Sequence, residues 1–389
     1  MTNENNGTYY GRGNTAMYDD YMDFINYVFG FNGNTSDFKK LLPKLYRPED
    51  DPVGHSYVVT EDGKIKAAVG AFDLSVSVCG ELLHTRGIGN VAVHPYARSR
   101  GYMRRLMNDA VDDMIRDGID YTTLGGRRQR YNYFSYDKLG SKLNLTFTSD
   151  NIRHVFGQPR CHSIKLKKLT PDDAASLDSI SALYGAQPLH ALRDRARLFD
   201  ILTSWSSSVW CGYDGDAFVG YAVVGGDCAS ELFVTDEGRL CEFVAALFDT
   251  MGRGKLGITL PPYMPNYAGK LYRIAEGYTV DPDKSFSVLN YERTVRAFMR
   301  LRAQCMGEMP DGELTLLIHG RGGDENITLS VSRGDVDVRA TNKTPAGEYS
   351  LLDAKDILFA PICPARDSLP YYARLWLPLP IFIHYVDAV

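Results

Sequence analysis

The sequence predicts a mixed α/β protein with mixed sheets, its 389 residues divided into three units. Three observations carry that prediction. The stretch Val91 to Met107, VAVHPYARSRGYMRRLM, reads as a short strand, a basic turn and the start of an amphipathic helix. A strand–turn–strand pattern at 56–71 returns at 208–224, each time followed by a further strand and a helix. Beyond about residue 303 the pattern changes to short alternating strands among Gly- and Asp-rich turns. The expected units are 1–158, 159–302 and 303–389, consistent with a length that suggests roughly two to three domains.

In chain order, residues 1 to about 16 are Asn- and Gly-rich and are expected to be loosely ordered. Tyr18 to Phe31 carries apolar and aromatic residues at helical spacing, so a helix opens the first unit. Pro43, Pro48 and Pro52 then break the chain. Ser56–Val59 and Ile65–Ala71 flank Glu61-Asp62-Gly63-Lys64 as a hairpin, and Leu74–Val78 and Val91–Val93 read as the next strands. A helix from Tyr102 towards Asp117 and a strand at Tyr121–Leu124 follow. In the second unit Ser208–Tyr213, Ala217–Val224 and Glu231–Val234 are the matching strands, and Cys241–Met251 the matching helix. In the third, Glu313–His319, Ile327–Val331 and Val336–Ala340 are strands and Ser350–Ile357 a helix. The last fifteen residues, LWLPLPIFIHYVDAV, are so apolar that they are expected to pack inside the protein, carrying the Val389 carboxylate with them.

The basic turn holds the clearest chemistry. A strand-to-helix turn leaves the first helical N–H groups pointing outward with the positive end of the helix dipole behind them, which suits an anion. Arg98 and Arg100 add charge beside those donors, and Gly101 adds no side chain. The expected ligand is a pyrophosphate. Neither GxGxxG nor GxxxxGK[ST] occurs, so dinucleotide-fold and P-loop readings are set aside. The corresponding turn of the second unit, Thr235-Asp236-Glu237-Gly238-Arg239, has two carboxylates and no Arg-x-x-Gly, and is read as structural.

Composition narrows the function classes. Hydrophobic content of 44% and charged content of 23% are those of a soluble globular protein, and the net charge of −5 argues against general nucleic-acid binding and mildly favours cationic substrates. Seven scattered cysteines without a CxxC pair fit a reducing cytoplasm. No run approaches the roughly 18 apolar residues of a membrane span, and the polar amino terminus lacks the blocks of a signal peptide. The eight histidines show no HxH or HExxH spacing, so no metal is expected.

Arg98-x-x-Gly101-x-Met103 after a Val-Ala-Val strand resembles the acetyl-CoA signature [QR]-x-x-G-x-[GA] of the GNAT acetyltransferases, with Met103 where a small residue is usual. Tyr131-x-x-Phe134-x-Tyr136 resembles that family's segment after the splayed strand. Two such units, then a small α+β domain with an apolar tail, resemble the Eis (enhanced intracellular survival) family. The resemblance implies tandem GNAT folds followed by a sterol-carrier-like domain, acetyl-CoA as co-substrate, and an amine acceptor that is aminoglycoside-like, polyamine-like or a lysine. It implies a homo-oligomer, possibly a hexamer. It assigns acetyl-CoA to Val91, Ala92, Val93, Arg98, Ser99, Arg100, Gly101, Tyr102, Met103 and Arg104, the role of acid to Tyr131, and that of base to the carboxylate of Val389. Phe134 and Tyr136 are read as core aromatics. The rival class is an acyl-CoA-sensing or apolar-ligand-binding protein without turnover, which loss of Arg98 and Gly101 would have favoured.

Overall fold

A computed structural model describes residues 7–31, 33, 36–157 and 162–389. The expected boundary at 158/159 and Cys161 lie outside the described residues, as do residues 1–6. The strands are β1 (Thr8–Arg12), β2 (Ser56–Glu61), β3 (Lys64–Val78), β4 (Glu81–Val93), β5 (Tyr121–Leu124), β6 (Asp137–Leu139), β7 (Lys142–Thr148), β8 (Ile164–Lys168), β9 (Leu189–Ala191), β10 (Ser208–Asp214), β11 (Ala217–Gly225), β12 (Cys228–Val234), β13 (Lys255–Leu260), β14 (Gly277–Asp281), β15 (Lys284–Val288), β16 (Gly312–His319), β17 (Glu325–Ser332), β18 (Asp335–Ala340) and β19 (Gly347–Ser350). The helices that bear on the site are α1 (Tyr18–Gly30), α2 (Phe38–Leu41), α3 (Tyr102–Arg116) and α4 (Arg128–Tyr131).

The described residues form three sheets. The first runs β1-β2-β3-β4-β5-β15-β6 with β9 joined to β3, the second β14-β7-β13-β12-β11-β10-β8, and the third β18-β17-β16-β19. The first two exchange strands. β15, from residue 284 onward, lies between β5 and β6, while β7, from residue 142 onward, lies between β13 and β14. Each exchanged strand donates and accepts on both sides, so neither sheet is complete without chain from the other half.

Local chemistry explains the elements. The hairpin from β2 to β3 turns on Asp62 and Gly63 alone, both at positive φ (49° and 74°), the conformation that matches the twist of paired strands. α3 buries Tyr102, Leu106, Met107, Ala110, Val111 and Met114 on one face. Each buried Leu or Met there contributes about 1.5–3 kcal/mol. Between Ala68 and Gly70 of β3 the partner strand β4 carries one extra residue, because Ala68 faces Ala92 and Gly70 faces Gly89. Asn90, at φ 49°, absorbs that bulge.

Two strand expectations are corrected. The amino-terminal stretch is a strand from Thr8, held against β2 from Thr8↔Glu61 to Arg12↔Tyr57, with Tyr10 edge-on to Tyr102. Its polar composition hid those aromatic contacts. Leu74–Val78 and Val91–Val93 are the ends of long strands, β3 and β4, that pair with each other almost throughout. The repeat between the units is present: β11 and β12 pair antiparallel and β12 and β13 parallel, as β3, β4 and β5 do. The apolar tail is buried at Trp376, Leu377 and Leu379, from Ile381 to His384 and again from Val386 to Ala388.

Because β15 completes the first sheet, residues 1–157 expressed alone should lack a cooperative thermal transition, whereas the full chain should show one. Differential scanning calorimetry on the two proteins checks this.

Candidate active site

Strand β4 pairs with β5 only from Thr85↔Tyr121 to Ile88↔Leu124. Beyond Ile88 the two diverge, and β4 runs on with its β5-facing edge free. A cleft of about 860 Å³ opens there, lined by Val91 and Val93 of β4, the turn Ala97 to Gly101, Tyr102, Met103 and Arg104 of α3, and Arg130, Tyr133 and Phe134. Ala92, between the two valines, is buried on the opposite face against the layer that contains α1. Its side chain therefore serves the core.

The turn is shaped for an anion. Ser99 and Gly101 both take positive φ (66° and 80°), and no side chain caps the first N–H groups of α3. A Cβ on Gly101 would meet nothing within 4 Å, so glycine is required here by the backbone conformation while the space in front of the helix stays open. The two arginines are not equivalent. Arg100 donates to Glu61 at 2.7 Å, and the Tyr102 hydroxyl donates to the same carboxylate oxygen. Those contacts, the tyrosine's first, hold the Glu61 carboxyl below its ordinary range. Arg98 lies 6.0 Å over the Phe31 ring and Arg104 5.1 Å over Tyr133, neither with a carboxylate partner among the described residues. Their charge is free for a phosphate.

Tyr131 sits at the end of α4 with its ring turned towards Gly126, where an added Cβ would come 2.3 Å from the ring. It is buried, and its neighbours Arg130, Tyr133 and Phe134 line the cleft in its place. Burial raises its hydroxyl pKa against a smaller lowering influence of Arg130. Tyr136 is buried with its hydroxyl 3.0 Å from Thr122 Oγ1.

Val389 reaches the same splay from the other side. Its side chain lies so close to β4 that a Cβ on Gly87 would be 2.3 Å away, and one on Gly89 3.6 Å away. Beside it is a cavity of about 220 Å³ lined by, among others, Lys44, Asp50, Phe72, Asp73, Gly87, Thr123 and Arg193. Asp50 accepts from Arg197 at 2.5 Å through Oδ1, while its buried Oδ2 has no hydrogen-bond partner among the described residues.

The tail is held there by buried charge that sequence reasoning did not find. Arg193 donates to Asp387 at 2.8 and 2.9 Å and to Glu231 of β12 at 2.9 and 2.6 Å. Tyr184 donates to Asp387 at 2.8 Å and Tyr221 to Glu231 at 2.6 Å. Burial alone would raise the Asp387 carboxyl, and the Arg193 guanidinium, together with Lys44 and His384, brings it below its ordinary range. Lys44 Nζ donates to the carbonyls of Val386 and, at 2.8 Å, Ala388, and Trp205 Nε1 donates to Ala388 at 3.1 Å. Burial brings Lys44 down to about 7.

The second unit lacks a counterpart to the open turn. β12 also leaves β13 after Ala229/Ile258, but the Tyr267 hydroxyl accepts from Val234 N–H at 3.0 Å on that free edge. Asp236 accepts from Gly238 N–H at 2.7 Å, and Lys270 Nζ donates to the Glu237 carbonyl at 2.9 Å. Among the described residues no group of His, Cys, Asp and Glu could hold a metal ion, and no helix is long and apolar enough to cross a membrane.

Residues 10–140 match the family model of the acetyltransferase (GNAT) domain. Solved structures extend the likeness to most of the chain. A GCN5-related N-acetyltransferase from Kribbella flavida is 16% identical with a TM-score of 0.66, covering 96% of this chain and 95% of that one. One from Anabaena variabilis is 14% identical with a TM-score of 0.66, covering 97% and 98%. Eis1 from Mycobacterium abscessus is 14% identical with a TM-score of 0.62, again covering 97% and 98%. At these identities the likeness is one of fold. Comparison with curated protein sequences gives no match.

Removing Arg193 would strand two buried carboxylates. Arg193→Met should therefore lower stability by about 3–5 kcal/mol, measured by denaturant unfolding, where a surface arginine such as Arg105 changed the same way should cost under about 1 kcal/mol.

Proposed function

We propose that this chain, whose residues 10–140 match the acetyltransferase (GNAT) domain, is an acyltransferase that moves acetyl from acetyl-CoA to a primary amine. The acceptor is the amine arm of a polyamine-like or aminoglycoside-like molecule, or a lysine side chain. The observation that carries this reading is that one strand serves both cavities: β4 lines the cleft at the basic turn with Val91 and Val93 and the smaller cavity with Gly87, on which Val389 packs. The cavity of about 220 Å³ is smaller than the roughly 300 Å³ at which pockets for drug-sized ligands begin, so it suits a slender arm with the rest of the acceptor outside. The unpartnered Asp50 oxygen and the carboxylate of Val389 favour a cation.

The residues divide the work as follows. Arg98, Arg104 and the uncapped N–H groups of α3 hold the pyrophosphate, with Ser99, Arg100, Gly101, Tyr102 and Met103 shaping the turn around it. The free edge of β4 from Val91 through Ala92 to Val93 aligns the pantetheine arm. Bound acetyl-CoA supplies an activated acyl group. An ammonium has no lone pair with which to attack, so the Val389 carboxylate takes its proton, directly or through water. Tyr131, kept protonated by its raised pKa, is the proton donor to the leaving thiolate once its ring turns from Gly126 towards the cleft. In this reading residues 303–389 form a sterol-carrier-like domain that delivers the tail, the protein works in the cytoplasm, and it assembles as a hexamer.

A thiol-release assay against a panel of amines tests the activity, with none released for any amine counting against it. Arg98→Glu should weaken coenzyme A binding by at least ~2 kcal/mol in calorimetry. Adding two residues after Val389 should lower kcat by ~100-fold or more with coenzyme A binding intact, since displacement by ~1 Å is enough for such a loss. Tyr131→Phe should slow turnover by about 100-fold or more in the same way.

Lys44 makes the rate depend on pH. Below about pH 7 Lys44 gains a proton, and the new charge stands beside the tail, repelling an ammonium and competing for the carboxylate. The profile of kcat/KM should fall on that side, and in Lys44→Met the fall near pH 7 should disappear.

A further inference from the structure

The second unit keeps a cavity at the place where the first has its small pocket. In the first unit the pocket is lined from β4 and β5 by Gly87 and Thr123, which pair directly. In the second, β12 and β13 pair at Cys228↔Gly257 and Ala229↔Ile258, and the next residue on each, Ser230 and Thr259, lines a cavity of about 310 Å³ together with Cys228. The buried tail runs between the two, with Ile383 lining both.

The lining differs in character from that of the first pocket. Its walls include Trp205, Phe382 and Tyr385, the first and last with ring centres 5.8 Å apart. Its charges are Lys142, Lys284 and Asp283. Asp283 accepts from the Ile383 N–H at 3.1 Å and is buried. Neither lysine has a carboxylate within ion-pair distance among the described residues, and Lys284 lies 4.9 Å over the Tyr385 ring. Trp205 and Ser206, which line the cavity, both take positive φ (60° and 57°), a conformation uncommon for residues other than glycine. Surrounding contacts impose it, and it presents the indole to the cavity and to the tail carbonyl of Ala388.

We propose that this second cavity binds a small aromatic carboxylate, its ring against the wall formed by the paired rings of Trp205 and Tyr385 and its anion on Lys142 and Lys284. Aromatic walls give area at low entropic cost, and two lysines against one buried acid leave an excess of positive charge for the ligand to meet. The volume is ample for a single-ring acid. The site is separate from the cleft at Arg98, with which it shares no lining residue.

The test is a titration of the full-length protein with phenylacetate, followed by tryptophan fluorescence and calorimetry with coenzyme A present at saturation to occupy the basic turn. Benzylamine and benzyl alcohol serve as cationic and neutral counterparts. Phenylacetate should bind saturably at one site per chain, with benzylamine at least tenfold weaker. Lys142→Glu, on the cavity rim, should weaken phenylacetate at least tenfold at an unchanged melting temperature. Ser230→Trp, which fills the space, should abolish binding. The proposal is overturned if phenylacetate does not saturate, if benzylamine binds as well, or if folded Lys142→Glu or Ser230→Trp protein binds phenylacetate as the parent does.

Discussion

A guanidinium buried away from water has to find its counter-charges within the protein, and Arg193 finds them in two places that are far apart in the chain. Glu231 belongs to the splayed strand of the second sheet, and Asp387 to the tail that ends against the first. Desolvating three charges is costly, and the cost is offset only when the geometry is right for all of them at once. The tail is therefore registered to within a hydrogen bond against a rigid sheet. Lys44, from the region after α2, and Trp205, from the second unit, fix the last carbonyls in the same way. Elements from both sheets thus converge on four residues of backbone.

That arrangement gives the second unit a purpose although it has no open cofactor turn. Duplicated strands leave a duplicated splay, and in the second copy Tyr267, Asp236 and Lys270 satisfy the groups that the first copy leaves exposed. Unpaired buried backbone groups are expensive, so a unit that does not bind a ligand there has to close the gap with its own side chains. What the second copy offers in return is a face on which the tail can be anchored.

Local pattern made much of this legible in the sequence. The stripe of α3, the hairpin at Asp62-Gly63 and the repeat at 208–251 depend on neighbours a few residues apart, and periodicity reports them. Strand exchange does not, since nothing near Leu124 or Ser285 marks them as partners. The basic turn was readable because its parts are contiguous. Lys44, Arg193, Glu231 and Asp387 are single charged residues separated by tens to hundreds of positions, each indistinguishable from a solvated one until the fold buries them together. Tyr131 was placed by a local motif, and the single turn of α4 sends its ring to Gly126 while its neighbours face the cleft. Likewise Arg100 reads as free charge in the sequence, and only the pairing of β1, β2 and α3 brings Glu61 to it.

The tail at Ile383 is a partition one residue thick with a cavity on either side. Such a wall couples its two faces by thermodynamic linkage. Any free energy by which an occupant on one side shifts the partition is felt as a change in affinity on the other, and the two occupants must alter each other's binding by the same factor. The partition is tied to Asp283 through its own N–H and, four residues on, to Arg193 through Asp387. A displacement has to work against both, which confines the response to small adjustments of side chains and makes the sign of the coupling a matter of shape: an occupant that keeps Ile383 where it stands helps its counterpart, and one that pushes it across excludes it.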